Sequence, residues 1–144
     1  MAEVTRVAEY FLFLDSEAEG DGISNLKLQK LAYYAQGFYL ALYNRPLFES
    51  KVEAWTHGPV VVDLYHRYKG YGSEAIPPAD SADFSDLTDD EISLLDEVFD
   101  VFGQYSAWKL RNMSHEDRPW LDHEVQADEI SQPEMAEYFK TKLN

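Results

Sequence analysis

Apolar residues recur at helical spacing along most of this chain. Val4, Val7, Ala8, Phe11 and Leu14 share one face of a helix predicted from Glu3 to about Ala18, with Glu3, Arg6, Glu9 and Asp15 on the other faces. Gly20-Asp21-Gly22 ends it. A second helix is predicted from Ser24, a good N-cap, to about Tyr43. Leu28, Leu31, Ala35, Phe38 and Leu42 form one stripe, while Leu26, Tyr33, Tyr34, Leu40 and Ala41 cover other faces. Its polar residues crowd the first turns: Asn25, Lys27, Gln29, Lys30, then Gln36. A helix apolar nearly all round belongs at the centre of a domain, covered by others. Tyr33, Tyr34 and Gln36 are therefore expected in the core with satisfied polar tips, and Gln29 and Lys30, one turn earlier, at the surface.

The pattern then changes. Asn44 to Thr56 opens with Pro46 and carries Phe48, Val52, Ala54 and Trp55, which suggests a short extended hairpin or irregular loop. His57-Gly58-Pro59 breaks the chain, with Pro59 suited to the first position of a short helix through Val61, Leu64, Tyr65 and Tyr68. Gly70-Tyr71-Gly72 stops it, and Pro77-Pro78 lies in a long exposed loop reaching Leu87. Thr88-Asp89-Asp90-Glu91 is a capping box opening a helix whose inner stripe is Ile92, Leu95, Phe99 and Phe102. Ser106 caps a short helix through Met113, Asp117 to Trp120 reads as a turn, and Pro133 starts a final helix with Met135, Ala136 and Phe139 inward. Trp108 and Trp120 are expected to be core or staple residues. The predicted fold class is mainly α: a single compact domain over residues 1–144, about six helices around a buried central helix, with a short extended or hairpin element. A chain of 144 residues can bury a proper core.

Composition narrows the function. With no cysteine, disulfides, thiolate metal sites and a Cys nucleophile are excluded, and a reducing cytoplasm fits. No apolar run reaches the ~18 residues of a membrane helix, and the charged N-terminus does not read as a signal peptide. A net charge of −15 repels phosphate backbones and argues against direct nucleic-acid binding. That charge is uneven. Residues 22–72 hold six bases and three acids, whereas ten acids and no Lys or Arg lie between Gly70 and Trp108. Such a run is either a solvated face or a surface complementary to a basic partner.

His57, His66, His115 and His123 form no i, i+4 pair and no His-Glu-x-x-His motif, so neither a metal nor a cofactor is expected. There is no Gly-rich phosphate loop. His115-Glu116-Asp117, joined by His57 from another loop, leaves a His- or metal-dependent hydrolase or nuclease as the rival to a binding protein.

Three stretches together resemble one known family. The first is Ser24-Asn25-Leu26-Lys27-Leu28-Gln29-Lys30-Leu31, continuing through Tyr33-Tyr34-Ala35-Gln36-Gly37. The second is Pro46-Leu47-Phe48 with Val52-Glu53-Ala54-Trp55 and Gly58-Pro59-Val60-Val61; the third is Ser106-Ala107-Trp108 with Ser114-His115 and Pro119-Trp120. In this order and spacing they resemble the Panacea domain of SocA-like antitoxins, also found as phage- and mobile-element-associated proteins. The resemblance implies a non-catalytic cytoplasmic antitoxin whose partner is a cognate protein toxin, neutralised by direct binding. It also carries an alternative, an adaptor that delivers the toxin to the ClpXP protease. The family brings no catalytic residues.

Charge and aromatic content then suggest two surfaces. Gln29, Lys30, Trp55, His57 and Tyr65 are expected to lie near a grip that fixes the partner. The acidic Asp80 to Asp100 region, represented by Asp83, Asp86 and Asp89, is expected to steer it.

Overall fold

Helix α2 (Asn25–Tyr43) organises the molecule in this computed structural model, which describes residues 1–143. Ser24 Oγ accepts from Lys27 N at its start, and Asn44, at φ 56°, closes its end by donating its N–H to Leu40 O. Around it lie α1 (Val4–Glu17), α3 (Val62–Tyr68), α4 (Asp89–Phe102), α5 (Ala107–Ser114) and α7 (Gln132–Lys140). A one-turn helix, α6 (Arg118–Leu121), precedes α7. Strands β1 (Val52–Trp55), β2 (Gly58–Val61) and β3 (Glu129–Ile130) form an antiparallel sheet in the order β2-β1-β3. The class is mainly α, as expected, with seven helices rather than six among the described residues.

The most extensive helix packing is that of α7 on α2, and its composition explains it. Gly37 carries no Cβ where the Phe139 ring lies against α2. That ring meets Phe38, Tyr33 and Tyr34 at centroid separations of 4.9, 5.4 and 6.1 Å, an aromatic cluster that locks the two helices edge to face. Tyr34 stacks on Phe102 of α4 at 4.1 Å. Of the predicted stripe, Leu28, Leu31 and Ala35 are fully enclosed, as is Tyr33, while Phe38 is only half-buried and Leu42, near the end of the helix, is 49% exposed. In α4 the buried positions are Glu91, Leu94, Leu95 and Val98, with Ile92, Phe99 and Phe102 at the margin. Glu91 is enclosed because its carboxylate accepts Thr88 N, the capping box foreseen in the sequence.

Other expectations need correction. Gly58 to Val61 is a strand, not the start of a helix. Gly58 takes φ 106°, which a glycine accepts freely and which lets Thr56-His57 turn the chain back on β1. Pro59 then falls on an edge strand, where a missing N–H is tolerated. Asp117 to Trp120 winds into α6 instead of a plain turn, with Pro119 in its first turn. Strand β3 has two residues, too few for a periodic signal. Trp108 is 56% exposed, covered on one face by the Arg111 guanidinium at 4.4 Å; Trp120 is buried. The 72–87 segment is partly tied down: Ile76 and Phe84 are buried, Ile76 N donates to Ile23 O, and Arg6 lies over the Phe84 ring.

Candidate partner-binding cleft

Strand β2 has a partner on one side only, and its outer backbone groups must bond elsewhere. Helix α2 supplies the partners. Gln29 Oε1 accepts from Val61 N at 2.9 Å, and Lys30 Nζ donates to Pro59 O at 3.1 Å. Gln29 Nε2 in turn donates to Asn25 Oδ1 at 2.8 Å, and Asn25 Nδ2 reaches Tyr65 O. Gln29 and Lys30 are thus fully buried, 1% and 0% exposed, which overturns the expectation that they lie at the surface. Polar side chains at the start of a central helix here face a sheet edge, and the edge needs them. Gln36 does the same for the loop before β1, exchanging three hydrogen bonds with Leu47 and Phe48.

This junction floors a cleft of about 750 Å³ between α2, the β1–β2 hairpin and the end of α3. Gln29, Lys30, Trp55, His57 and Tyr65 all line it. Trp55 stands edge-on to Tyr65 at 4.8 Å, its indole N–H donating to Glu53 Oε1. Its carbonyl accepts from Trp120 Nε1 at 2.8 Å, so the hairpin is anchored to α6. His57 is exposed, and its Nδ1 accepts from Arg111 Nε at 3.3 Å. Because arginine can only donate, the His57 ring proton sits on Nε2.

Charge in the cleft is unusual for so acidic a chain. Lys30 has no carboxylate partner among the described residues, and burial, reinforced by the nearby Arg111 charge, pushes its amine down to about 7. His115 stacks on Trp120 at 4.0 Å, and burial together with Arg111 and Lys30 holds it below the usual histidine range. Its Nε2 is buried with no hydrogen-bond partner among the described residues.

The acids of the predicted steering region are placed differently. None of Asp83, Asp86 and Asp89 lines the cleft. Asp86 receives Arg6 Nε at 2.9 Å and Nη2 at 3.1 Å, and the Asp83 carbonyl also accepts from Arg6. Hydrogen bonding at Ser85 lowers Asp83, and Arg6 lowers Asp86, so both stay ionised while pinning their loop to α1. Asp89 opens α4 at the positive end of its dipole. The His115-Glu116-Asp117 triplet does not converge: Asp117 accepts from Tyr33 at 3.0 Å and Tyr138 at 2.7 Å, and burial raises it. Among the described residues no three His, Asp or Glu groups are placed to hold a metal ion, and no helix is long and apolar enough to cross a membrane.

Residues 28–121 match the family model of the antitoxin SocA-like Panacea domain. The chain belongs to that family. The matched span holds Gln29, Lys30, Trp55, His57 and Tyr65, together with Arg111 behind His57. Antitoxin SocA of Caulobacter vibrioides (strain NA1000 / CB15N) is 44% identical over 66 residues, 45% of this chain and 35% of that protein. The chain therefore spans about a third of that relative's length. No solved structure matches. Sequence reasoning did not reach Asn25, Lys69 or Arg111 as neighbours of the cleft. Arg111 and His57 are 54 positions apart, and nothing local to either residue signals the pairing.

Proposed function

We propose that this chain is a cytoplasmic, non-catalytic antitoxin that neutralises a cognate protein toxin by direct contact, with the cleft as its grip. The observation that carries the reading is the Panacea-domain match over 28–121, within which an open, aromatic-edged cleft sits on a rigid helix–sheet junction. Trp55 and Tyr65 present large apolar faces at low conformational cost, the kind of anchor that dominates interface energetics. The surrounding acids raise the rate of encounter with a basic partner surface.

Co-expression with the product of a neighbouring reading frame tests this. Rescue of growth from an otherwise toxic neighbour is the expected result, and failure to rescue any toxic or co-purifying partner would refute it. Delivery to the ClpXP protease is the competing mechanism. Under direct contact, rescue persists in a host lacking that protease; restored toxicity in such a host would replace masking by adaptor-driven degradation.

A further inference from the structure

The cleft differs chemically from the rest of the molecule. The chain carries 27 acids against 12 Lys and Arg, yet among the described residues no carboxylate lines this cavity. Lys30 and Lys69 line it instead, and His57 adds an Nε2–H donor held in place by Arg111. Lys30 is fully buried, and among the described residues its one hydrogen bond goes to Pro59 O, so two of its three N–H donors have no acceptor there. A buried ammonium without a counter-ion is costly, and an anion arriving beside it is correspondingly favoured. Thr56 and Ser73 add hydroxyl groups, but most of the remaining lining is apolar or already bonded. Trp55, Tyr65, Leu26 and Val60 provide apolar wall, and the amides of Gln29 and Asn25 are already bonded to each other, to Val61 and to Tyr65.

We propose that the cleft takes a carboxylate-bearing peptide segment of the protein partner. The carboxylate lies by Lys69 and His57 Nε2 above the Lys30 amine, and an adjoining apolar side chain rests against Trp55 and Tyr65. This rests on the antitoxin reading and specifies the chemistry of its grip. The net acidity of the chain then has a second effect: it disfavours the same acidic segment over the acid-rich surface outside the cleft, so that attraction and exclusion both favour this docking position. The partner so described is basic over its broad surface and acidic at one inserted segment.

The test uses the full ¹⁵N-labelled chain and three probes: acetyl-Leu-Glu-Phe-Asp with a free C-terminus, acetyl-Leu-Gln-Phe-Asn-amide, and inorganic phosphate. The acidic peptide is expected to shift the Trp55 indole and His57 ring signals saturably, at least about tenfold more tightly than its neutral analogue. Lys69→Gln, an exposed change that leaves the core intact, is expected to weaken that binding about tenfold. Lys30→Met gives an independent second variant. Equal binding of the neutral peptide, saturation of the same signals by phosphate alone, no saturable shift with any probe, or unchanged affinity in Lys69→Gln would each overturn the proposal. Growth rescue by wild type alongside a negative peptide result would sink this inference and leave the antitoxin reading standing. Peptide binding without rescue of any toxin would do the reverse.

Discussion

Replacing Lys30 by Met converts a buried charge problem into a measurable pH dependence. In the folded chain the amine titrates at about 7, against 10.5 for an unburied lysine. Between those values the unfolded chain binds a proton that the folded chain has released, so stability rises with pH. The stabilising contribution is fully present above 10.5 and lost as pH falls to about 7, a change of about 5 kcal/mol in all and about 1.4 kcal/mol per pH unit. Met removes the charge but leaves Pro59 O unpaired, at a cost of about 1–3 kcal/mol. At pH 6 the variant is therefore expected to be more stable than wild type by about 2–4 kcal/mol. That advantage shrinks steadily above pH 7 and has largely disappeared by pH 9.5. Urea unfolding of both proteins across this range measures the difference, in which titration of groups not coupled to Lys30 cancels; His115, which Lys30 holds down, titrates below the window from pH 7 to 9.5. A difference that stays flat between pH 7 and 9.5 would show that the amine keeps its proton in the fold, and the buried-charge argument would be wrong.

Three further outcomes follow from the packing and the titrations. Gly58→Ala should destabilise by about 2 kcal/mol or more, because φ 106° is strained for alanine and its Cβ would approach Ser114 Oγ to 2.7 Å and Lys30 Cε to 2.9 Å; an unchanged urea midpoint would contradict this. Leu31→Ala should cost about 2–5 kcal/mol, and half-buried Phe38→Ala less; the reverse order would mean the central stripe is misassigned. Bonding to Glu134 and Asp128 raises His123, so its contribution is fully present below pH 6.5 and fades as pH climbs through the raised value. Urea midpoints of wild type and His123→Gln should differ more at pH 5.5 than at pH 8.5, and equal differences would refute the pairing.

Local rules made much of this fold legible. The caps at Ser24, Thr88 and Ser106 and the apolar run of α2 each follow from a few neighbouring residues, and each marks an element where expected. What escaped depends on tertiary pairing. Pro59 fits a helix start as well as an edge strand, and only the register with Ala54 decides between them. The polar residues of α2 look solvent-facing because charge implies exposure in isolation; β2 buries them by offering Val61 N and Pro59 O across the junction. The grouping of Trp55, His57 and Tyr65 near Gln29 and Lys30 was anticipated from motif content and charge. The absence of carboxylates from the cleft lining was not, since it arises from which loops the sheet brings together. Asp83 and Asp86 read as free surface charge, yet the Asp86 carboxylate is held by Arg6 and that of Asp83 accepts from Ser85 N.

The central claim, that the cleft holds the toxin, is tested most directly by the dissociation rate of the purified toxin from wild type and from folded Trp55→Ala and His57→Ala variants. Buried anchors act on dissociation, whereas charges outside the cleft such as Asp89 act on association and its salt dependence. The account predicts dissociation at least about tenfold faster from both cleft variants and unaltered from Asp89→Asn. Wild-type dissociation from folded Trp55→Ala and His57→Ala would contradict it and place the grip on another face.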